Sequence, residues 1–200
     1  LTTFDERAGD WDTPEHIERS RAIAALILDT LEPAPTTRVL ELGAGTGLLG
    51  LSLLPHVAEV VLTDASRGML EAADAKIATG AYPGARTLQL AIGEDALPDD
   101  RFDLVVSLMA LHHVPDTAAA VVALAALLVP GGRIALVDLE TEDGSFHTDA
   151  PGPVVHGFDR DDLRGDLEAA GFRDVAFRPA YEVTHDERAY PLFLVTATRG

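Results

Sequence analysis

The 200-residue chain contains no cysteine and a single lysine, Lys76. The first absence removes disulfides, thiolate nucleophiles and cysteine-based zinc sites together, and it suits a reducing compartment. The second leaves positive charge to arginines that stand singly along a chain of net charge −18. Such a chain has little with which to replace the counterions condensed on a phosphate backbone, so no nucleic acid partner is expected. Long apolar runs are missing as well. The longest, Ala118 to Val129, falls short of a bilayer about 30 Å thick at about 1.5 Å per helical residue. No membrane association is expected, no basic and apolar leader follows Leu1, and the expected location is cytoplasmic. What is present is enough for a core: 47% of residues are hydrophobic, which argues against global disorder.

Thr13-Pro14-Glu15 reads as a helix start, and Ile17, Ala24, Leu28 and Leu31 then recur at helical spacing. Pro33 and Pro35 close that helix, so residues 1–35 form an expected N-terminal extension ahead of a main domain over 36–200. Strands are expected at 39–42, 59–63, 86–91, 102–108 and 133–139, with helices at 46–54, 66–79 and from Asp116 to Pro130 between them. This alternation predicts an α/β, Rossmann-like, doubly wound and mostly parallel sheet. After a helix over 159–170, strands at 175–177 and 192–198 are joined by a loop containing Pro179 and Pro191. That loop is too short and polar for a crossover helix, so the last two strands should pair antiparallel.

The stretch ELGAGTGLLG, residues 41–50, holds two glycine patterns. Gly43, Gly45 and Gly47 form G-x-G-x-G. Gly45, Gly47 and Gly50 form G-x-G-x-x-G, the dinucleotide pattern. Both call for a tight turn after the first strand and an acid after the second for ribose hydroxyls, which Asp64 supplies. Charge separates them. Glu41, Asp64, Glu94 and Asp95 fall at the ends of the first three strands, where they disfavour a pyrophosphate and favour a cation. S-adenosylmethionine, with a sulfonium, an ammonium and one carboxylate, fits better than NAD(P). Asp64 is placed for the ribose and Asp95 for the adenine amino group.

These motifs, in this order, resemble those of class I S-adenosylmethionine-dependent methyltransferases, in the small-molecule group that includes quinone-biosynthesis C-methyltransferases. ELGAGTG is similar to the family's first motif, which implies Glu41, Gly43, Ala44, Gly45 and Gly47 at the cofactor. VVLTDASRGML resembles the second and implies Asp64 and Ala65 at the ribose, with Met69 packed on the adenosine. IGEDALP resembles the third and implies Glu94, Asp95 and the Ala96 backbone at the adenine. FDLVVSLMALHHVPD and LLVPGGRIALVDLE resemble the fourth and fifth strands, the former bringing Ser107 to the cofactor. FDERAGDWD is similar to a lid pattern, which implies Phe4 or Trp11 over the cofactor. The other reading of that stretch is an amphipathic lead-in whose tryptophan packs on the sheet. The family fold has seven strands with the last antiparallel.

Methyl transfer from a sulfonium needs alignment and exclusion of water more than a protein nucleophile. A base is needed only where the acceptor must lose a proton. His112 and His113 follow the fourth strand, where the resemblance places the substrate. In an extended segment only one of two neighbours faces a pocket, and His112 is the candidate base. The other reading is that both histidines only orient the turn. Phe146, His147 and His156, in the polar stretch after the fifth strand, are substrate candidates beside His113. The spacing of Asp143, His147, Asp149 and His156 matches no zinc motif, so no metal is expected. The fourth strand lacks the Asn/Asp-Pro-Pro-aromatic tetrapeptide of base-methylating enzymes, which points to a small-molecule acceptor. The alternatives are an NAD(P)-dependent oxidoreductase, although no Tyr precedes Lys76 by four residues, and a non-catalytic S-adenosylmethionine-binding protein. A homodimer is compatible with all three.

Overall fold

In a computed structural model of the chain, residues 3–147 and 154–200 are described; Asp149 lies outside them. Thr3 caps a short helix α1 (Phe4–Arg7), its hydroxyl oxygen accepting from Glu6 N–H while the Glu6 carboxylate accepts from Thr3 N–H. Helix α2 (Pro14–Leu31) begins where the sequence predicts, with Thr13 as cap and Pro14 in the first position, whose N–H a helix does not use. There follow β1 (Arg38–Leu42), α3 (Leu48–Leu53), β2 (Glu59–Asp64), α4 (Arg67–Lys76), β3 (Ala85–Gln89), β4 (Phe102–Leu108), α5 (Thr117–Leu127), β5 (Leu128–Leu139), α6 (Arg160–Ala169), β6 (Phe172–His185) and β7 (Arg188–Arg199).

The seven strands form one sheet in the order β3-β2-β1-β4-β5-β7-β6. β7 runs antiparallel to both β5 and β6, and the other pairs are parallel. The expected fold class is the one observed. The chain moves outward from β1 to β3 and then returns to lay β4 on the other side of β1. That reversal leaves a crevice at the carboxyl ends of β1 and β4.

Alternate residues of each strand serve opposite layers. Val39, Val60, Leu104 and Val137 pack with Ile23 and Ile27 of α2 and Leu49 and Leu53 of α3. Leu40, Val61, Val105 and Leu136 pack with Val121 and Leu124 of α5 and Leu163 and Leu167 of α6. A sheet covered on both faces explains why β4 reads as a continuous apolar run. Each such side chain, fully buried, is worth about 1.5–3 kcal/mol. Among the described residues, no helix is long and apolar enough to cross a membrane.

The tail departs from expectation in extent. The predicted loop holding Pro179 and Pro191 is instead strand, because β6 and β7 make a long hairpin turned by Asp186 and Glu187, at φ +47° and +62°. Pro179 sits at a register irregularity on β6, the sheet's edge strand, and edges and bulges are where a strand tolerates a missing N–H. The Pro191 carbonyl accepts from Glu140 N–H just past the end of the β5 ladder. The helix expected over 46–54 is shorter, since Gly47 caps it and Pro55 lies in a 3-10 turn at Leu54–His56.

Candidate active site

A cavity of about 660 Å³ fills the crevice and is roofed by Phe4 and Trp11. Its floor is the turn after β1. Gly43, Gly45 and Gly47 have φ of +63°, +54° and +84°, a region open mainly to glycine. At Gly43 a Cβ would stand 2.2 Å from the Ala110 Cβ, so only glycine lets this turn meet the segment after β4. Beneath the turn lie two acids, one half-buried and one buried. Asp64 Oδ2 accepts from Gly45 N–H and Oδ1 from Ser66 N–H, both at 2.8 Å, which aims the carboxylate along the loop. Burial raises its pKa, against the pull of those bonds. Glu41, 2% exposed, accepts from Gly50 N–H at 2.8 Å, and burial pushes its pKa up to about 8.

The roof is tied down by named contacts. Asp5 Oδ1 accepts from the Ser66 hydroxyl at 2.5 Å and from Gly68 N–H at 2.8 Å, pinning α1 to the start of α4. Asp12 accepts from the Thr46 hydroxyl and pairs with Lys76 Nζ, each at 2.5 Å, while Lys76 also donates to the Thr46 carbonyl at 2.8 Å. The sole lysine thus fastens the N-terminal segment to the glycine turn. Phe4 meets Trp11 and His113 edge-on, with centroids 6.0 and 5.1 Å apart.

The opposite wall is histidine. Leu111–His113 is a 3-10 turn, not extended chain. Successive residues there diverge by about 120°, and both His112 and His113 line the cavity, which corrects the expectation that only one could. His112 is 1% exposed. Its Nδ1 lies 2.6 Å from Asp138 Oδ1, and its Nε2 lies 2.8 Å from His147 Nε2. With Nδ1–H donating to the carboxylate, Nε2 is left to accept from His147 Nε2–H at the cavity wall. Burial and the neighbouring imidazoles lower the pKa of His113 to about 3 and of His147 to about 4, so both are neutral at physiological pH.

With this geometry established, relatives give the family. The family model described as "Methyltransferase domain" matches residues 15–176. The chain belongs to the methyltransferase domain family. An uncharacterised methyltransferase of Mycobacterium tuberculosis is 36% identical over 124 residues, covering 60% of this chain and 61% of that protein. The uncharacterised methyltransferase YcgJ of Bacillus subtilis is 34% identical over 113 residues, 56% of this chain and 45% of its own length. The chain thus spans about six tenths or less of these curated relatives. The crystal structure of YcgJ superposes with a TM-score of 0.74 at 20% identity, over 88% of this chain and 97% of that one. Magnesium protoporphyrin IX methyltransferase from Synechocystis, with S-adenosylmethionine bound, gives 0.68 at 21% identity over 92% and 80%.

In this methyltransferase-domain chain the predicted residues divide. Glu41, Gly43, Ala44, Gly45, Asp64, Ala65, Met69, Glu94 and Trp11 line the cavity, as do His112, His113, Phe146 and His147. Others do not. Gly47 caps α3, and the Ser107 hydroxyl donates to the Leu42 carbonyl between β4 and β1. Asp95 turns back on its own loop, accepting from Ala91 N–H at 2.8 Å, and neither it nor Ala96 is on the wall. Glu94 is. His156 is largely exposed, 3.5 Å from Glu142, and outside the cavity.

One further expectation needs correction. The rim is not uniformly acidic, since Arg7 and Arg19 also line it and Glu41 holds its proton near neutrality. The expectation of no metal rested on the spacing of Asp143, His147, Asp149 and His156 along one segment. The described residues that do gather are His112, His113 and His147, one donor nitrogen of each within 4.8 Å of the others. They come from connections after two neighbouring strands, a proximity that spacing along one segment does not reveal. Sequence reasoning also missed Asp138 and Arg19. Asp138 is an acid inside the apolar run IALVDLE, a signal of a buried partner. Arg19 lies four residues before Ile23 and eight before Ile27, on the buried stripe of α2, and its Nε has no hydrogen-bond partner.

Proposed function

We propose that the chain transfers a methyl group from S-adenosylmethionine to a small-molecule acceptor by in-line displacement. The observation that carries this reading is the pair of acids, buried Glu41 and half-buried Asp64, beneath a glycine turn at the sheet's reversal point. One acid suits a ribose diol. The other, protonated until a cation arrives, suits an ammonium. When bound, the cofactor supplies an electrophilic methyl group on a sulfonium that departs as a neutral thioether.

The chain's own residues have three tasks. Asp64, oriented by Gly45 and Ser66, accepts from the ribose hydroxyls, with Met69 and Ile92 against the base and Glu94, in place of Asp95, near its amino edge. Phe4 and Trp11 exclude water, which makes the segment before α2 a lid, while α2 itself packs in the core through Ile23 and Ile27. His112, His113, Phe146 and His147 face the acceptor. The Nε2 of His112, oriented by Asp138, is the group positioned to take an acceptor's proton once its hydrogen bond with His147 gives way. Burial of the wall in apolar and neutral imidazole groups suits a small molecule, a quinone-type acceptor among them, better than a polyanion. A homodimer is compatible with this reading. The lack of cysteine suits a cytoplasmic location.

The test is mass spectrometry of a metabolite extract incubated with the protein and methyl-labelled S-adenosylmethionine. A labelled product that Asp64→Ala abolishes is expected. Binding of S-adenosylhomocysteine without label transfer in any extract would instead identify a non-catalytic binder. Trp11 is the only tryptophan, so its emission is expected to shift as S-adenosylhomocysteine closes the lid. Unchanged emission, with binding recorded calorimetrically, removes the lid.

A further inference from the structure

The turn after β4 and the connection after β5 bring three imidazoles to one wall of the cavity. His112 Nε2 and His147 Nε2 are 2.8 Å apart, and the donor nitrogens of His112, His113 and His147 all lie within 4.8 Å of one another. Two facts distinguish this group from a set of mutually hydrogen-bonded rings. Nδ1 of His113 is buried with no hydrogen-bond partner, a position that folded proteins rarely leave unfilled. His112 is already oriented from behind. Asp138 Oδ1 accepts from its Nδ1–H at 2.6 Å and from Leu139 N–H at 2.8 Å, and Oδ2 accepts from His112 N–H at 3.3 Å. A fixed carboxylate behind one imidazole nitrogen, with the other nitrogen turned into the cluster, is how proteins orient a histidine toward a metal.

We propose that His112, His113 and His147 form a three-imidazole site for a divalent cation of the zinc class, with its open position toward the cavity. An all-nitrogen donor set selects a borderline transition metal over magnesium or calcium, which take oxygen ligands. Nitrogens about 2.0–2.1 Å from a tetrahedral ion stand roughly 3.4 Å apart. Seating one therefore asks the His112 and His147 rings to separate by about half an ångström, replaces their mutual hydrogen bond, and asks the His113 ring to close in by up to about 1.4 Å. Three protein ligands leave the fourth position for water or for an oxygen, sulfur or nitrogen of the acceptor. With the ion seated, the His112 Nε2 lone pair is committed to it. The ion then favours loss of the acceptor's proton to solvent, in place of a base, and selects acceptors with an ionisable heteroatom. The site does not depend on the methyl-transfer reading, because the ion can be measured without cofactor or acceptor.

The test is titration of the untagged, chelator-stripped full chain with cobalt(II), followed by competition with zinc(II). One cobalt per chain is expected, with the visible absorption of a four- or five-coordinate ion, displaced by one equivalent of zinc. His147→Ala and His113→Ala are each expected to weaken cobalt binding by more than the roughly 10- to 100-fold typical of a lost orienting partner, and Asp138→Asn by about that factor. Melting curves and circular dichroism identify variants that keep the fold. No saturable binding, a six-coordinate spectrum, or wild-type affinity in folded His147→Ala and His113→Ala would overturn the site.

Discussion

Glu41→Gln is expected to be more stable than the wild type at pH 8 and to bind S-adenosylhomocysteine more weakly. Glu41 is buried and its pKa lies near 8, against an ordinary glutamate value of 4.5. Between those values the folded chain keeps a proton that the unfolded chain has released. Stability therefore falls as pH rises through the window from about 4.5 to 8, and the penalty persists above it. Glutamine carries no charge at any of these pH values, and its amide oxygen can still accept from Gly50 N–H. The two proteins should melt alike near pH 4 and diverge by on the order of 10 °C at pH 8, at about 1.4 kcal/mol per pKa unit and roughly 2–4 °C per kcal/mol. The same substitution removes the carboxylate that an ammonium would meet. A loss of about tenfold or more in affinity is expected, the usual worth of a hydrogen bond to a charged group. Wild-type affinity should rise with pH up to about 8, and that of the variant should not. Melts at pH 4 and 8 with calorimetric titrations check both halves. A variant less stable at both pH values would mean that the buried carboxylate is ionised and structural.

Gly43→Ala and Gly45→Ala are expected to fail differently. At Gly43 the new methyl would lie 2.2 Å from the Ala110 Cβ, in a backbone at φ +63°. Left-handed strain of about 1–2 kcal/mol adds to overpacking of about 1–3 kcal/mol, so a loss on the order of 10 °C in melting temperature is expected. At Gly45 the strain is similar but the space is open, with Trp11 Nε1 at 3.4 Å and Met69 Sδ at 3.9 Å as the nearest atoms. That methyl projects between the roof and the wall assigned to adenosine. Gly45→Ala should therefore melt only a few degrees lower while binding S-adenosylhomocysteine at least about tenfold more weakly. Equal losses of stability in the two variants, with ligand affinity intact in Gly45→Ala, would contradict this division between packing and binding.

The strands and helices that hold the sheet were legible because their periods are strong. β4 is an unbroken apolar run, and α2 begins with a capping threonine and a proline. Strand limits in the tail were not legible, because Pro179 and Pro191 look like breakers until the edge position of β6 and the end of the β5 ladder are known. Acids at strand ends marked the crevice, and Glu41 and Asp64 are there. Two things were hidden. Burial turns Glu41 from a fixed negative charge into a group protonated near neutrality, which composition cannot show. The Asp138–His112–His147 chain joins residues 26 and 35 apart in sequence through the adjacency of β4 and β5. A reading along the chain sees those residues as separate loops.

The central claim is that the crevice between β1 and β4 accepts an ammonium-bearing sulfur nucleoside. Isothermal titration of the wild-type chain with S-adenosylhomocysteine and, separately, with NADH tests it most directly. One site for S-adenosylhomocysteine is predicted, with an enthalpy at pH 7 that depends on the buffer as Glu41 releases its proton, and no heat with NADH. Saturable NADH binding, or a crevice that takes up neither ligand, would contradict it.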